Sequence, residues 1–163
     1  MKFARFDFYL KYVLPFAAWL GLIHFSSSQS YEDQNVQPLL EGFPLDWVHT
    51  IFSWVSFRYG DSIVSLETRS PEAFVEFFIR KGAHVFVYAV LAVLAFRLMY
   101  KVFPKLYPST AAAWLFVTIY AGIDELRQHF HPNRSGMIED VILDSAGGII
   151  GLVIYIGWLK KRS

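Results

Sequence analysis

The chain has 163 residues, of which 55% are hydrophobic, 18% aromatic and only 18% charged, a balance too apolar for an ordinary soluble domain of that size. Its formal net charge of +1 is the near-cancelled sum of charges segregated along the chain, so it points to no partner and gives no sign of nucleic acid. With no cysteine, disulfides, thiolate metal sites, thiol nucleophiles and acylated cysteines are excluded.

The apolar residues come in long runs rather than stripes. Four runs suffice to cross a hydrocarbon core of about 30 Å, which takes roughly 20 helical residues. The first spans Phe8–Phe25. Lys2, Arg5 and Lys11 and the terminal Ser26-Ser27-Ser28 give it some likeness to a signal peptide, but no Ala-x-Ala site follows, so a retained span is expected. Pro15 should kink it, because proline removes a backbone donor and crowds the preceding turn.

A long connection, 26–79, carries Glu32, Asp33, Glu41, Asp46, Asp61, Glu67, Glu72 and Glu76 against Arg58 and Arg69. Within it, Pro44–Val55 places aromatic and aliphatic residues at roughly helical spacing. That pattern suits an interfacial helix on the outer leaflet or a packed cap over a bundle, and the sequence does not choose. Ser70-Pro71-Glu72 is a helix start, with Ser70 as N-cap and Pro71 at the first helical position.

The second, third and fourth spans are expected at Gly82–Tyr100, Thr110–Gln128 and Val141–Leu159. Arg97, Lys101 and Lys105 mark the connection between the second and third, and Lys160, Lys161 and Arg162 follow the fourth. By the positive-inside rule these flanks and both termini are cytoplasmic, and the acidic connection is outside. The expected architecture is all-α: a single-domain, integral membrane four-helix bundle over 1–163 with an extracytoplasmic connection between helices 1 and 2. Gly147 and Gly151 form a GxxxG, a helix-contact face.

Ionisable residues inside a span each cost of order several kcal/mol, yet this chain carries several. Counting about 1.5 Å per residue from the cytoplasmic ends, His84 lies about 24 Å up its helix, Asp124 about 21 Å and Asp144 about 22 Å. Ser26, Ser28 and Gln29 end the first helix near the same level. Residues four apart share a helix face, which aligns Arg80, His84 and Tyr88, then Asp124 and Gln128, then Asp140 and Asp144, with Lys81 and Glu125 on neighbouring faces. Arg134, in the short connection 129–136, can reach over the same volume. Any one of these could merely tie helices together or cap a helix, but for packing alone small residues suffice.

His84, Asp124 and Asp144 with Glu125 are the candidate catalytic groups: His84 as general base or acid, oriented by Asp124 or Asp144, and Glu125 as a second proton carrier. Arg80, Lys81 and Arg134 are suited to anionic oxygens. Tyr88, Gln128, Asp140, Ser28 and Gln29 complete the candidate ligand-binding set. A metal could be drawn from His84, Asp124, Glu125, His129, His131, Asp140 and Asp144, but no HExxH or other fixed ligand spacing occurs. The basic residues can neutralise the carboxylates instead, so no metal or other cofactor is expected.

Four stretches resemble a known family. They are Phe25-Ser26-Ser27-Ser28-Gln29, Arg80-Lys81-Gly82-Ala83-His84 with Tyr88, Asp124-Glu125-Leu126-Arg127-Gln128, and Arg134 with Asp140-Val141-Ile142-Leu143-Asp144-Ser145-Ala146-Gly147-Gly148. In order and spacing they resemble VanZ-like membrane proteins. Many such proteins carry Asn where this chain has Asp144. The family is named for a protein associated with low-level teicoplanin resistance. The resemblance therefore implies a bacterial cytoplasmic membrane and a cell-envelope role, without supplying a reaction.

Three kinds of function fit these residues. An outward-facing pocket could bind, and chemically modify, the head group of a membrane lipid or lipid-linked envelope precursor. A proton-coupled transporter or lipid scramblase would use intramembrane His, Asp and Glu, though the inner halves of the helices offer no polar route unless an oligomer builds one. A structural or regulatory subunit would use the cluster to dock a partner or a glycopeptide.

Overall fold

The computed structural model describes residues 6–30, 32–130 and 136–162. Four helices are long and apolar enough to cross a membrane: α1 (Phe6–Ser27), α4 (Pro71–Val102), α5 (Leu106–His129) and α6 (Ile138–Arg162). The chain is thus a multi-pass membrane protein with the helical architecture that the sequence predicts. Two short helices, α2 (Gln37–Leu40) and α3 (Asp46–Phe52), and a two-stranded hairpin, β1 (Ser56–Tyr59) with β2 (Ser62–Ser65), lie between α1 and α4.

Pro15 acts on the turn before it. Tyr9–Val13 is π-helical, and the Leu14 N–H reaches back five residues to the Tyr9 carbonyl. A widened turn accommodates the missing donor and the ring without breaking the helix.

Ser70 caps α4 as its sequence requires, its hydroxyl accepting from the Ala73 N–H at 3.2 Å. From there α4 runs unbroken to Val102 and packs against α6, α5 and α1. The contact with α6 depends on two glycines. A β-carbon on Gly147 would lie 2.7 Å from the Val85 carbonyl oxygen, and one on Gly151 would overlap the Ala89 carbonyl. The GxxxG is therefore a backbone-to-backbone contact. Beneath the polar residues the bundle is closed by Leu91, Ala92, Ala95, Phe96, Ala113, Val117 and Leu152, all buried. Helix α1 sits at the side of this core and buries only Ile23.

The connection between α1 and α4 folds as a small cap. Val48 of α3, Val64 of β2, Leu66 just after it, and Phe74 at the start of α4 form its core. Trp47, Ile51 and Trp54 remain exposed. The segment thus has a packed interior as well as an aromatic surface, so α3 is not a free interfacial helix. The hairpin is a feature that the sequence reading misses. Its antiparallel register pairs Ser56 with Ser65 and Tyr59 with Ser62, leaving a two-residue loop with Gly60 at φ +56°, where glycine relieves the steric cost of a left-handed backbone.

Candidate functional site

The polar residues gather where α1, α4, α5 and α6 meet beneath the cap. Four buried carboxylates lie there: Asp124, Glu125, Asp140 and Asp144. Each has different company, and the differences separate what is structural from what is open to chemistry.

Asp124 is saturated. Its Oδ1 accepts from Ser27 Oγ at 2.8 Å and from an Arg127 guanidinium nitrogen at 2.9 Å. Its Oδ2 accepts from Gln128 Nε2 at 3.1 Å and from the Tyr88 hydroxyl at 3.5 Å. Arg127 also donates to the hydroxyls of Ser27 at 2.7 Å and Ser28 at 2.6 Å. The end of α1 is thereby clasped to α5. With four donors on it, Asp124 anchors helices, and it does not orient His84.

His84 instead meets Asp144. Its Nδ1 lies 3.2 and 3.4 Å from the two carboxylate oxygens of Asp144, whose side chain is fully buried at 0% exposure. A carboxylate held behind an imidazole fixes its tautomer and lets the other ring nitrogen exchange a proton with a ligand. Glu125 stands nearby on α5, accepting the Met137 N–H at 3.0 Å and Gln128 Nε2 at 3.4 Å.

Asp140, one turn before Asp144, is paired with Lys81 at 2.5 Å and accepts the Tyr59 hydroxyl at 2.6 Å. The Lys81 ammonium also lies 4.6 Å from the Tyr59 ring centroid, a cation–π contact. This group ties the hairpin to α4 and α6. Burial, and then the hydrogen bond to Asp140, hold the Tyr59 hydroxyl above its ordinary value of 10.0. The folded state thus keeps the proton more tightly than the unfolded chain. The resulting stability is fully present below about pH 10 and is lost as pH rises beyond it. Tyr59→Phe is expected to cost roughly 1 kcal/mol at neutral pH and to remove this alkaline loss, as read from thermal melts across pH 7 to 11.

Arg80 is held by Glu76, a residue 1% exposed, at 4.0 Å. Glu76 in turn accepts the Val36 N–H at 3.3 Å and Gln37 Nε2 at 2.6 Å, so the chain just after α1 helps to position Arg80.

Between α1 and α4 lies a cavity of about 250 Å³ with two kinds of wall. Arg80, His84, Tyr88, Asp124, Gln128 and Ser27 form the polar side, and Leu22, Ile23, Ile79, Ala83 and Val87 the apolar one. Arg80, His84 and Tyr88 face it together, as their spacing predicts. Lys81, Glu125, Asp140 and Asp144 are not among its lining residues. Ser28 is exposed and bonds Arg127 and the His24 carbonyl. Gln29 accepts from Gln34 at 3.3 Å. Arg134 and His131 lie outside the described residues. The sequence reading overlooks Arg127 and Tyr59 in this network. Arg127 stands one turn from Asp124, a spacing that could have revealed the pair.

The family model described as VanZ/LLP1 matches residues 12–160. No curated protein and no solved structure matches the chain.

Proposed function

The chain belongs to the VanZ/LLP1 family, and from that premise we propose that it is a cell-envelope protein of the bacterial cytoplasmic membrane whose cavity binds the anionic head group of a lipid or lipid-linked precursor. The two-walled cavity carries this reading. Arg80 offers donors for phosphate oxygens, and His84, Tyr88 and Gln128 offer further polar contacts. On the other side, Leu22 and Ile79 are both 48% exposed, apolar residues at the rim where acyl chains would lie. The amphiphile enters sideways from the bilayer, head group first.

Size and depth narrow the ligand. Pockets for drug-sized molecules run from about 300 to 1,000 Å³, so 250 Å³ takes a head group and not a whole glycopeptide. The apolar core beneath offers no polar route across the bundle, which disfavours a carrier. The positive flanks orient both termini to the cytoplasm and the cavity to the outer leaflet. A role in teicoplanin-type resistance would then act through the envelope lipid and not through direct capture of the antibiotic.

Mass spectrometry of lipids that copurify with the protein tests this. The expected result is one anionic lipid class enriched over its share of the membrane, and loss of that enrichment in the folded Arg80→Ala/Arg134→Ala variant. If no class is enriched in the wild type, or if enrichment survives in the variant, the lipid reading fails and a partner-docking role takes its place.

A further inference from the structure

We propose that His84, Glu125 and Asp144 form a binding site for a divalent transition-metal cation such as zinc or manganese. One ligand atom from each residue can be chosen so that all three lie within 4.8 Å of one another. The three come from α4, α5 and α6, so the bundle assembles a site that no local spacing in the sequence reveals.

Charge supplies the second line of support. Of the five buried carboxylates, Asp124 is matched by Arg127 at 2.9 Å, Asp140 by Lys81 at 2.5 Å and Glu76 by Arg80 at 4.0 Å. Glu125 and Asp144 are left. Among the described residues, no lysine or arginine lies within ion-pair distance of either, and Asp144 is paired with His84 alone, at 3.2 Å. One imidazole carries at most a single positive charge, so with both carboxylates ionised the trio is anionic. Buried charge is normally paired or metal-bound. A divalent cation bound by the neutral imidazole and both carboxylates brings the trio to neutrality.

The donor set and its surroundings fit that role. One imidazole with two carboxylates suits zinc or manganese. Zinc bonds of about 2.0–2.2 Å in a tetrahedron set ligand atoms roughly 3.3–3.6 Å apart. His84 and Asp144 are already near that separation, and a carboxylate such as Glu125 can swing in by about 1 Å through its side-chain torsions. The Met137 N–H at 3.0 Å and Gln128 at 3.4 Å on Glu125 are outer partners of the kind that orient metal ligands. Three protein ligands leave a coordination position open. Of the three, His84 also lines the cavity.

Cation binding is read without any lipid, so its outcome is separate from that of the head-group reading. The test uses the full chain without a histidine tag, in detergent, stripped with chelator and titrated with cobalt(II), whose visible absorption reports its ligands, then with zinc in competition. The expected result is one equivalent of metal per chain, a metal-dependent rise in Tm, and at least about tenfold weaker binding in the near-isosteric variants Glu125→Gln and Asp144→Asn. X-ray absorption of the zinc-loaded wild type is expected to show one imidazole with oxygen ligands, and it stands even where a variant fails to fold. No saturable binding by the wild type, unchanged binding in both folded variants, or a shell with two or more imidazoles would overturn the proposal.

Discussion

Lys81→Met is expected to destabilise the protein by about 3–5 kcal/mol, the usual cost of leaving one partner of a buried ion pair alone. The side chains of Lys81 and Asp140 are 20% and 9% exposed and meet at 2.5 Å, so little solvent remains to take over the lost charge. Tyr59 gives Asp140 one neutral hydrogen bond at 2.6 Å, which is not enough to hold a carboxylate. The substitution also takes the ammonium away from the rings of Tyr59 and Phe77, 4.6 and 5.6 Å from their centroids, and so loosens the hairpin from α4. Adding Asp140→Asn removes the stranded charge and should recover most of the loss. Unfolding free energies in mixed micelles for both single variants and the double variant measure this directly. A loss below about 1 kcal/mol for Lys81→Met would place the pair with surface bridges and end its structural role.

The second large effect is expected at Gly151. A β-carbon there would overlap the Ala89 carbonyl, and a main-chain oxygen cannot step aside as a flexible side chain can. Gly151→Ala should cost about 1–3 kcal/mol, the common range for overpacking. Gly151→Val should cost more, because it forces α4 and α6 apart along the seam that also sets His84 against Asp144. Gly157 is the internal control. It lies on the same helix with nothing within 4 Å of its added β-carbon, so Gly157→Ala should be neutral, or stabilising by up to about 1 kcal/mol through helix propensity. Equal melting temperatures for the Gly151 and Gly157 alanine variants would contradict the close-approach account.

Much of this molecule can be read from its residues. Run length finds all four spans, and Ser70-Pro71 marks where α4 begins outside the apolar run. GxxxG marks the α4–α6 seam, and four-residue spacing puts Arg80, His84 and Tyr88 on one cavity wall. What cannot be read is how far each helix is turned about its own axis. Asp124 and Asp144 lie at nearly one depth, and either could have faced His84. The Gly147 and Gly151 contacts turn α6 so that Asp144 does, while Ser27 and Arg127 claim Asp124. Charge balance fails for the same reason. From the sequence, the bases suffice for the acids, whereas the folded distances give Lys81 to Asp140 and Arg127 to Asp124 and leave Glu125 and Asp144 without a strong base among the described residues. The hairpin was legible in principle, since Gly60-Asp61 separates two runs with strand-forming residues, but the acidic surroundings read as an ordinary loop.

The lateral position of α1 has a consequence for the order of assembly. It reaches the bilayer before any of its partners exists. Trp19 bonds the Val87 carbonyl, Ser27 bonds Asp124 and Tyr120 bonds the Leu20 carbonyl, across 68, 97 and 100 residues of chain. Until α4 and α5 have been synthesised and inserted, α1 stands in lipid without the Asp124 and Arg127 partners of its Ser27. The three later helices can close on one another through apolar and glycine contacts that need nothing from it. Of the four spans, α1 is made before the partners that fasten it, so its docking waits for α4 and α5 and completes the cavity wall.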